Sequence, residues 1–579
     1  MNKPLRLSLS LVLASVCAFA GSLSADLKAS NPSTSVRVLV RFSKPPSAAL
    51  LNQIGGNGAA FDKQFKHLPK TMVFHGSVGA MKKIADLPGV VYVAPDRPIK
   101  RKLDVTAATV GATLAQQYGF TGAGIGVAVV DSGVDMTNPD LAGRVVYSED
   151  FVGTGTRDFY GHGTHVAGII GASGAASGGK FKGIAPGVNI IALRVLDADG
   201  SGSDSTVIAA IDRAIELKST YNIRVLNLSL GRPVGEPFYA DPLCQAVESA
   251  WKAGITVVVA AGNEGRDNTG GNQGYGTISS PANDPWVITV GAMKAEGTPA
   301  RGDDMIASYS SKGPSMIDHF VKPDIVAPGN KIASLRAPGS TLDLEYPGNV
   351  VDPTMYGGQA GTYSPYFSMN GTSMAAPVVS GAAALLLQQY PTLTPDQLKA
   401  RLMKTASKTF PASSIATDPD TGQTFTSYYD IFTIGAGYLD IGAALNNTEL
   451  APGTAPSPVA VLNPATGTIT IVNPDQIAWG DQIAWGDQIA WGDQIAWGDQ
   501  IAWGDQIAWG DQIAWGDQIA WGDGAVYGTS VVKGTSIWTA TGSPLTQRNT
   551  NGAGALFGTK TPSASSSPKA ERTEMKGEK

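Results

Sequence analysis

Ile125-Gly-Val-Ala-Val-Val130 is an apolar run that ends on Asp131-Ser-Gly133. A strand with one wet face alternates apolar and polar residues, whereas a strand covered on both faces does not. Four further runs have the same character, at residues 188–195, 223–230, 255–260 and 286–290. Helix-period segments separate them, at 162–170, 203–218, 241–252, 372–389 and 395–406. Strands alternating with helices predict a doubly wound, mostly parallel α/β sheet over residues 106–447.

Working outward, residues 21–105 read as a small α+β unit. Strands are expected at 36–42, 72–78 and 89–93, with helices at 48–54 and 79–87 on one face. Lys100-Arg-Lys102 follows as a basic linker. In the other direction, residues 448–474 are rich in Pro, Ala, Thr and Gly and read as a linker. Residues 475–522 are eight identical copies of Asp-Gln-Ile-Ala-Trp-Gly, within a repeat region expected over 475–540. At about 100° per residue, six steps leave each copy rotated by about 240°, so no helical stripe forms. A period of six does stay in phase with a strand, so the repeats fit either a β-type array or a flexible tail. Residues 541–579 end in a Ser- and Lys/Glu-rich stretch of disorder-prone composition.

Lys3 and Arg6 precede an apolar run at 7–20 that closes on Ala18-Phe-Ala20. This is the pattern of a secretory signal peptide over residues 1–20, too short to span a bilayer comfortably. A secreted, extracellular or cell-surface protein without a transmembrane segment is expected. Cys17 leaves with that peptide, so Cys244 has no internal partner and reads as a buried small hydrophobe. The formal net charge of −5 does not favour a nucleic-acid partner. Apolar residues at 43% suffice for a large core.

Acyl transfer by serine needs a hydroxyl, a base, an acid that orients the base, and donors aimed at the oxyanion. The chain has 5 histidines, of which His162 and His165 share Gly161-His-Gly-Thr-His-Val-Ala-Gly168. Glycines beside His162 let a substrate backbone approach closely. His165, one turn on, reads as a hydrogen-bonded structural residue. Asp131 ends a central strand, where α/β sheets place their reactive groups, while Asp135 reads as a turn cap. Ser373 opens a helix in Asn370-Gly-Thr-Ser-Met-Ala-Ala-Pro377, where free backbone N–H groups and the positive dipole end gather. Pro377 should kink that helix or loosen its first turns. Asn263, in Ala260-Ala-Gly-Asn-Glu-Gly265, follows a strand and can supply a second oxyanion donor.

Val130-Asp-Ser-Gly133, Gly161-His-Gly-Thr-His165, Ala261-Gly-Asn263 and Gly371-Thr-Ser-Met-Ala-Ala-Pro377, in the order Asp, His, Ser, resemble the subtilisin-like serine proteases, the subtilase family. The resemblance implies a secreted serine endopeptidase with Asp131, His162 and Ser373 as triad and Asn263 in the oxyanion hole. It also implies that Gly200-Ser201-Gly202 and Ser229-Leu230-Gly231 sandwich an extended polypeptide substrate. Residues 21–105 become an inhibitory pro-segment, an intramolecular partner removed by self-cleavage near residues 100–110. No cofactor is required. The Asn-rich calcium loop of some bacterial subtilisins is not visible between Gly168 and Gly183, which leaves Asp140 open between a structural calcium ligand and a plain structural carboxylate. Gly-rich insertions near 266–277 and 337–365 could line or cover the cleft. No acidic residue marks the base of a specificity pocket, which favours an apolar or broad preference.

Two other readings compete. One is an inactive subtilase scaffold. The other is a surface adhesion protein whose regularly spaced Trp residues stack on a cell-wall or protein surface.

Overall fold

A computed structural model describes residues 22–24, 27–28, 31–66, 68–96, 105–268, 272–418, 421–463, 468–472 and 575. The expected signal peptide, the basic linker at 100–102 and the hexapeptide repeats lie outside these residues. Of residues 541–579 only Met575 is described, its carbonyl accepting from Asn349 Nδ2 at 2.6 Å. The chain divides into two compact units, residues 1–100 and 101–579.

In the first unit, Ser35–Phe42 pairs antiparallel with both Thr71–Ser77 and Val90–Pro95. Alternation is clean here: Val38, Val40 and Phe42 are buried while Arg37 and Arg41 are exposed. Those three residues meet Ile54 of helix Ala48–Gly56 and Met81 and Ile84 of helix Val78–Ala85 in one apolar cluster. Ser47 and Ser77 cap these helices, accepting from Leu50 N and Ala80 N. A further strand, Ala59–Gln64, joins the edge of the sheet on Thr71–Ser77. Its sequence, Ala-Ala-Phe-Asp-Lys-Gln, is exposed after Ala59, so it carries no apolar pattern to find.

The second unit is built on an 8-stranded sheet. Its path runs Met305–Ile306, Ile288–Lys294, Thr256–Ala260, Ile223–Leu228, Gly126–Asp131, Asn189–Arg194, Val145–Asp150. Ile325–Pro328 also pairs with Ile288–Lys294. Only Met305–Ile306 runs antiparallel. All six residues of Gly126–Asp131 are buried, as a strand covered on both faces must be. Helices His162–Gly171 and Thr372–Gln389 pack on each other and on the sheet, as do Asp204–Glu216 and Pro242–Lys252. Gly126–Asp131 is the strand from which the chain winds first toward Asn189–Arg194 and then toward Ile223–Leu228. Its carboxyl end is the switch point where such sheets open a crevice.

The stretch expected as a linker, 448–474, is corrected. It carries the hairpin Val459–Asn463 with Thr468–Val472. Val321 N donates to Pro458 O (2.8 Å) and Ala460 N to His319 O (2.9 Å). Ser457 is fully buried, donating to Asp324 Oδ1 (2.6 Å) and accepting from Lys399 Nζ (3.0 Å). Asp324 also pairs with Lys322 at 2.7 Å, all within the interior. Desolvation pushes the Lys399 ammonium down to about 7, against the pull of Asp324. Composition reads local flexibility, whereas a buried ionic knot completed by the Ser457 hydroxyl holds this segment in place.

Candidate active site

His162 is the first residue of helix His162–Gly171, and the carboxylate of Asp158 holds that helix start. Asp158 accepts from Gly161 N (2.6 Å), Thr164 N (2.8 Å), Thr164 Oγ1 (2.6 Å) and Ser132 Oγ (2.9 Å). Burial raises its pKa to about 6, although these donors pull the other way. Ser132 Oγ in turn accepts from Gly163 N at 2.9 Å, tying the helix to the residue after Asp131. Gly163 must be glycine, since a Cβ there would lie 2.2 Å from Gly133 O and 3.1 Å from Asp131 Cβ. The outcome is a hydrogen bond of 2.8 Å between His162 Nδ1 and Asp131 Oδ1, with Asp131 1% exposed. Sequence reasoning missed Asp158; a carboxylate four residues before His162, in a glycine-flanked helix start, is the signal that could have found it.

Ser373 sits in the first turn of helix Thr372–Gln389, after Gly371. Pro377 does not break this helix. Without an N–H it cannot bond the carbonyl of Ser373, four residues back. Ser229 Oγ takes that place, donating to Ser373 O at 2.8 Å. The proline thus frees a carbonyl that fastens the helix start to the loop after strand Ile223–Leu228. Ser373 Oγ lies 3.4 Å from Ser229 O. Asn263 Oδ1 accepts from Thr372 N (3.0 Å) and Thr372 Oγ1 (3.1 Å). These two donors fix the carboxamide plane and turn its NH2 away from Thr372.

His162, Ser373, Asn263, Gly200, Gly202, Ser229, Leu230 and Gly231 all line one cavity of about 480 Å³. Asp131 stands behind His162. Ser201 is not among the residues lining that cavity; its N–H donates to Asp197 Oδ1 (2.9 Å) and its carbonyl accepts from Asp197 N (2.8 Å). Its main chain is turned into its own loop, and of the 200–202 edge the two glycines face the cavity. Asp204, Glu264 and Asp267 are the acidic residues that also line the cavity.

His165 is structural, its Nε2 lying 3.2 Å from Ile332 O and 3.1 Å from Phe367 O. Asp135 caps its own turn through Thr137 N (3.0 Å). Cys244 is fully buried, and burial pushes its thiol pKa up. The insertion expected over 337–365 buttresses the histidine loop: Thr341 N donates to Phe159 O (2.9 Å) and Leu342 N to Tyr160 O (3.0 Å). Asp140 is buried, with Oδ1 accepting from Ala176 N (2.8 Å) and Oδ2 from Tyr366 OH (2.6 Å).

Residues 122–427 match the profile of the Subtilase family. Serine protease AprX of Bacillus subtilis (strain 168) is 40% identical over 334 residues, 56% of this chain and 71% of AprX. Subtilisin E of the same organism is 33% identical over 416 residues, 70% of this chain and 94% of its own. The Extracellular serine proteinase of Thermus sp. (strain Rt41A) is 33% identical over 368 residues, 62% of this chain and 75% of its own.

Proposed function

The chain belongs to the subtilase family and is a serine endopeptidase acting on polypeptides, and on that premise we propose that Asp131, His162 and Ser373 are its triad, in a secreted enzyme made as a self-processing zymogen. His162 Nε2 takes the proton of Ser373 Oγ as that oxygen attacks the scissile carbonyl carbon. The oxyanion that forms is held by the N–H of Ser373, at a helix start, and by the NH2 of Asn263. His162 then gives the proton to the leaving amine, and water repeats the sequence on the acyl-enzyme. Asp131 keeps the histidine proton on Nδ1 and stabilises the imidazolium.

The observation that carries this reading is the buried 2.8 Å bond between His162 Nδ1 and Asp131 Oδ1, in the cavity that Ser373 and Asn263 share. No cofactor enters the reaction. Asp140 is read as structural, its oxygens accepting from Ala176 N and Tyr366 OH. Secretion is supported by the leader pattern over residues 1–20 and by a relative named as extracellular. Among the described residues no helix is long and apolar enough to cross a membrane. Residues 21–105 are read as the inhibitory pro-segment, a role that suits a unit with a compact core of its own.

The test is a chain lacking residues 1–20 beside its Ser373→Ala twin, followed for size and casein hydrolysis. The parent should shorten near residue 105 and gain activity, while the twin stays long and silent. Cleavage and activity in both would remove Ser373 from the mechanism.

A further inference from the structure

We propose that the ion pair between Asp204 and Arg232 is a strap across the far end of the substrate cleft, and that it decides which remote substrate side chain is admitted. The inference rests on the reading of Ser373 as nucleophile and of 200–202 and 229–231 as the segments flanking the substrate.

The two partners belong to opposite banks of the cavity. Asp204 lies two residues after Gly202, beyond the N-cap Ser203, and is the first residue of helix Asp204–Glu216. Arg232 follows Gly231 directly on the other bank. Arg232 Nε donates to both carboxylate oxygens of Asp204, at 3.0 Å each. Both residues line the cavity that holds His162 and Ser373. Ser229 is the residue fastened to Ser373, through its 2.8 Å bond to the Ser373 carbonyl. Moving from Ser229 to Arg232 therefore leads away from the reacting atoms, and the pair closes the end reached by substrate residues remote from the scissile bond.

The strap has a fixed end and a loose one. Arg232 Nη2 donates to Asp241 Oδ1 at 2.7 Å, and the Asp241 side chain is 0% exposed. Asp241 is itself held by Leu243 N (2.9 Å) and Ser280 Oγ (2.7 Å). The main chain of Arg232 pairs with Ser280 in both directions, at 2.9 and 2.8 Å. Asp204, by contrast, has a side chain 41% exposed. A pair with one partner so exposed is weak and opens readily. The lining of the same cavity includes the apolar side chains of Leu196, Val207, Leu230, Val234 and Leu243. A bulky apolar side chain must displace the Asp204 end to settle there, whereas a methyl group need not.

The test compares two tetrapeptide anilides that differ only in the residue farthest from the bond, Phe in one and Ala in the other. In Asp204→Ala the Phe-to-Ala ratio of kcat/KM should rise about fivefold or more, with the change carried by KM. Because both substrates meet the same preparation, a loss of active fraction cancels from the ratio. The parent itself supplies a second measurement. Raising salt from about 20 mM to about 1 M screens an exposed pair, so its ratio should move toward that of the variant, while the variant's stays flat. A ratio that holds within twofold on substitution, or on salt addition to the parent, overturns the strap. Retained hydrolysis in Ser373→Ala would instead overturn the nucleophile reading, so the two failures are distinguishable.

Discussion

Acid should weaken this protein through His165, and His165→Gln should remove that weakness. The ring is fully buried, and Nδ1 has no hydrogen-bond partner among the described residues. Its Nε2 bridges the carbonyls of Ile332 and Phe367, so the fold holds the neutral ring with its proton on Nε2. Desolvation, with the nearby His162 adding to it, lowers the pKa to about 3. Below pH 6.5 the unfolded chain takes up a proton that the folded chain refuses until about pH 3. Stability from this group is therefore complete above pH 6.5 and is lost as pH falls toward 3. The loss is about 1.4 kcal/mol per pH unit, or about 2.7 kcal/mol at pH 4.5. Glutamine places an amide N–H close to the Nε2 position and cannot be protonated. At pH 8 it should cost about 1–3 kcal/mol through imperfect packing and hydrogen bonding. Burial raises Asp158 to about 6 and Asp284 to about 7, and these groups act with the opposite sign. The gap between His165→Gln and its parent isolates the histidine, because the carboxylates are common to both. The assay is urea unfolding at several pH values between 4.5 and 8, in a Ser373→Ala background that stops self-digestion. The gap should shrink by about 2.7 kcal/mol on going to pH 4.5 and can change sign. Parallel profiles, with the gap constant to within about 0.5 kcal/mol, would refute the argument. Phe367 belongs to the strand Tyr366–Met369 that leads into the Ser373 helix, so activity below pH 5 should fall earlier in the parent than in the variant.

Asn263→Ala should lower kcat by about 10²–10³ with little change in KM, a magnitude carried over from subtilisin. Steady-state kinetics on one peptide substrate checks it, and a loss confined to KM would count against an oxyanion role. Ending the chain after Asn447 removes Ser457 and leaves Asp324 and Lys399 each short of a buried partner. Two lost bonds to charged groups cost about 3–6 kcal/mol together, so thermal unfolding should begin on the order of 10 °C lower than in a chain ending after Pro474. Equal midpoints would show that the segment is the passive linker its composition suggests.

What the sequence by itself determined follows from local chemistry. Unbroken apolar runs such as 125–130 reveal strands covered on both faces, because such burial needs no partner to be named. Asp131 at a strand end, His162 among glycines, Asn263 after a strand and Ser373 at a helix start each carry a local reason to be reactive. The structure brings His162, Asn263 and Ser373 to one cavity, with Asp131 bonded behind His162. Tertiary structure alone decided the pairings between residues far apart in the chain. Asp204 meets Arg232 across 28 positions and Ser457 meets Asp324 across 133. No periodicity or composition encodes such a contact, because the hydrogen bond depends on where the sheet carries each residue. The carbonyl that Pro377 leaves without an N–H shows both levels: the proline makes the vacancy legible in the sequence, and only the fold supplies Ser229 to fill it.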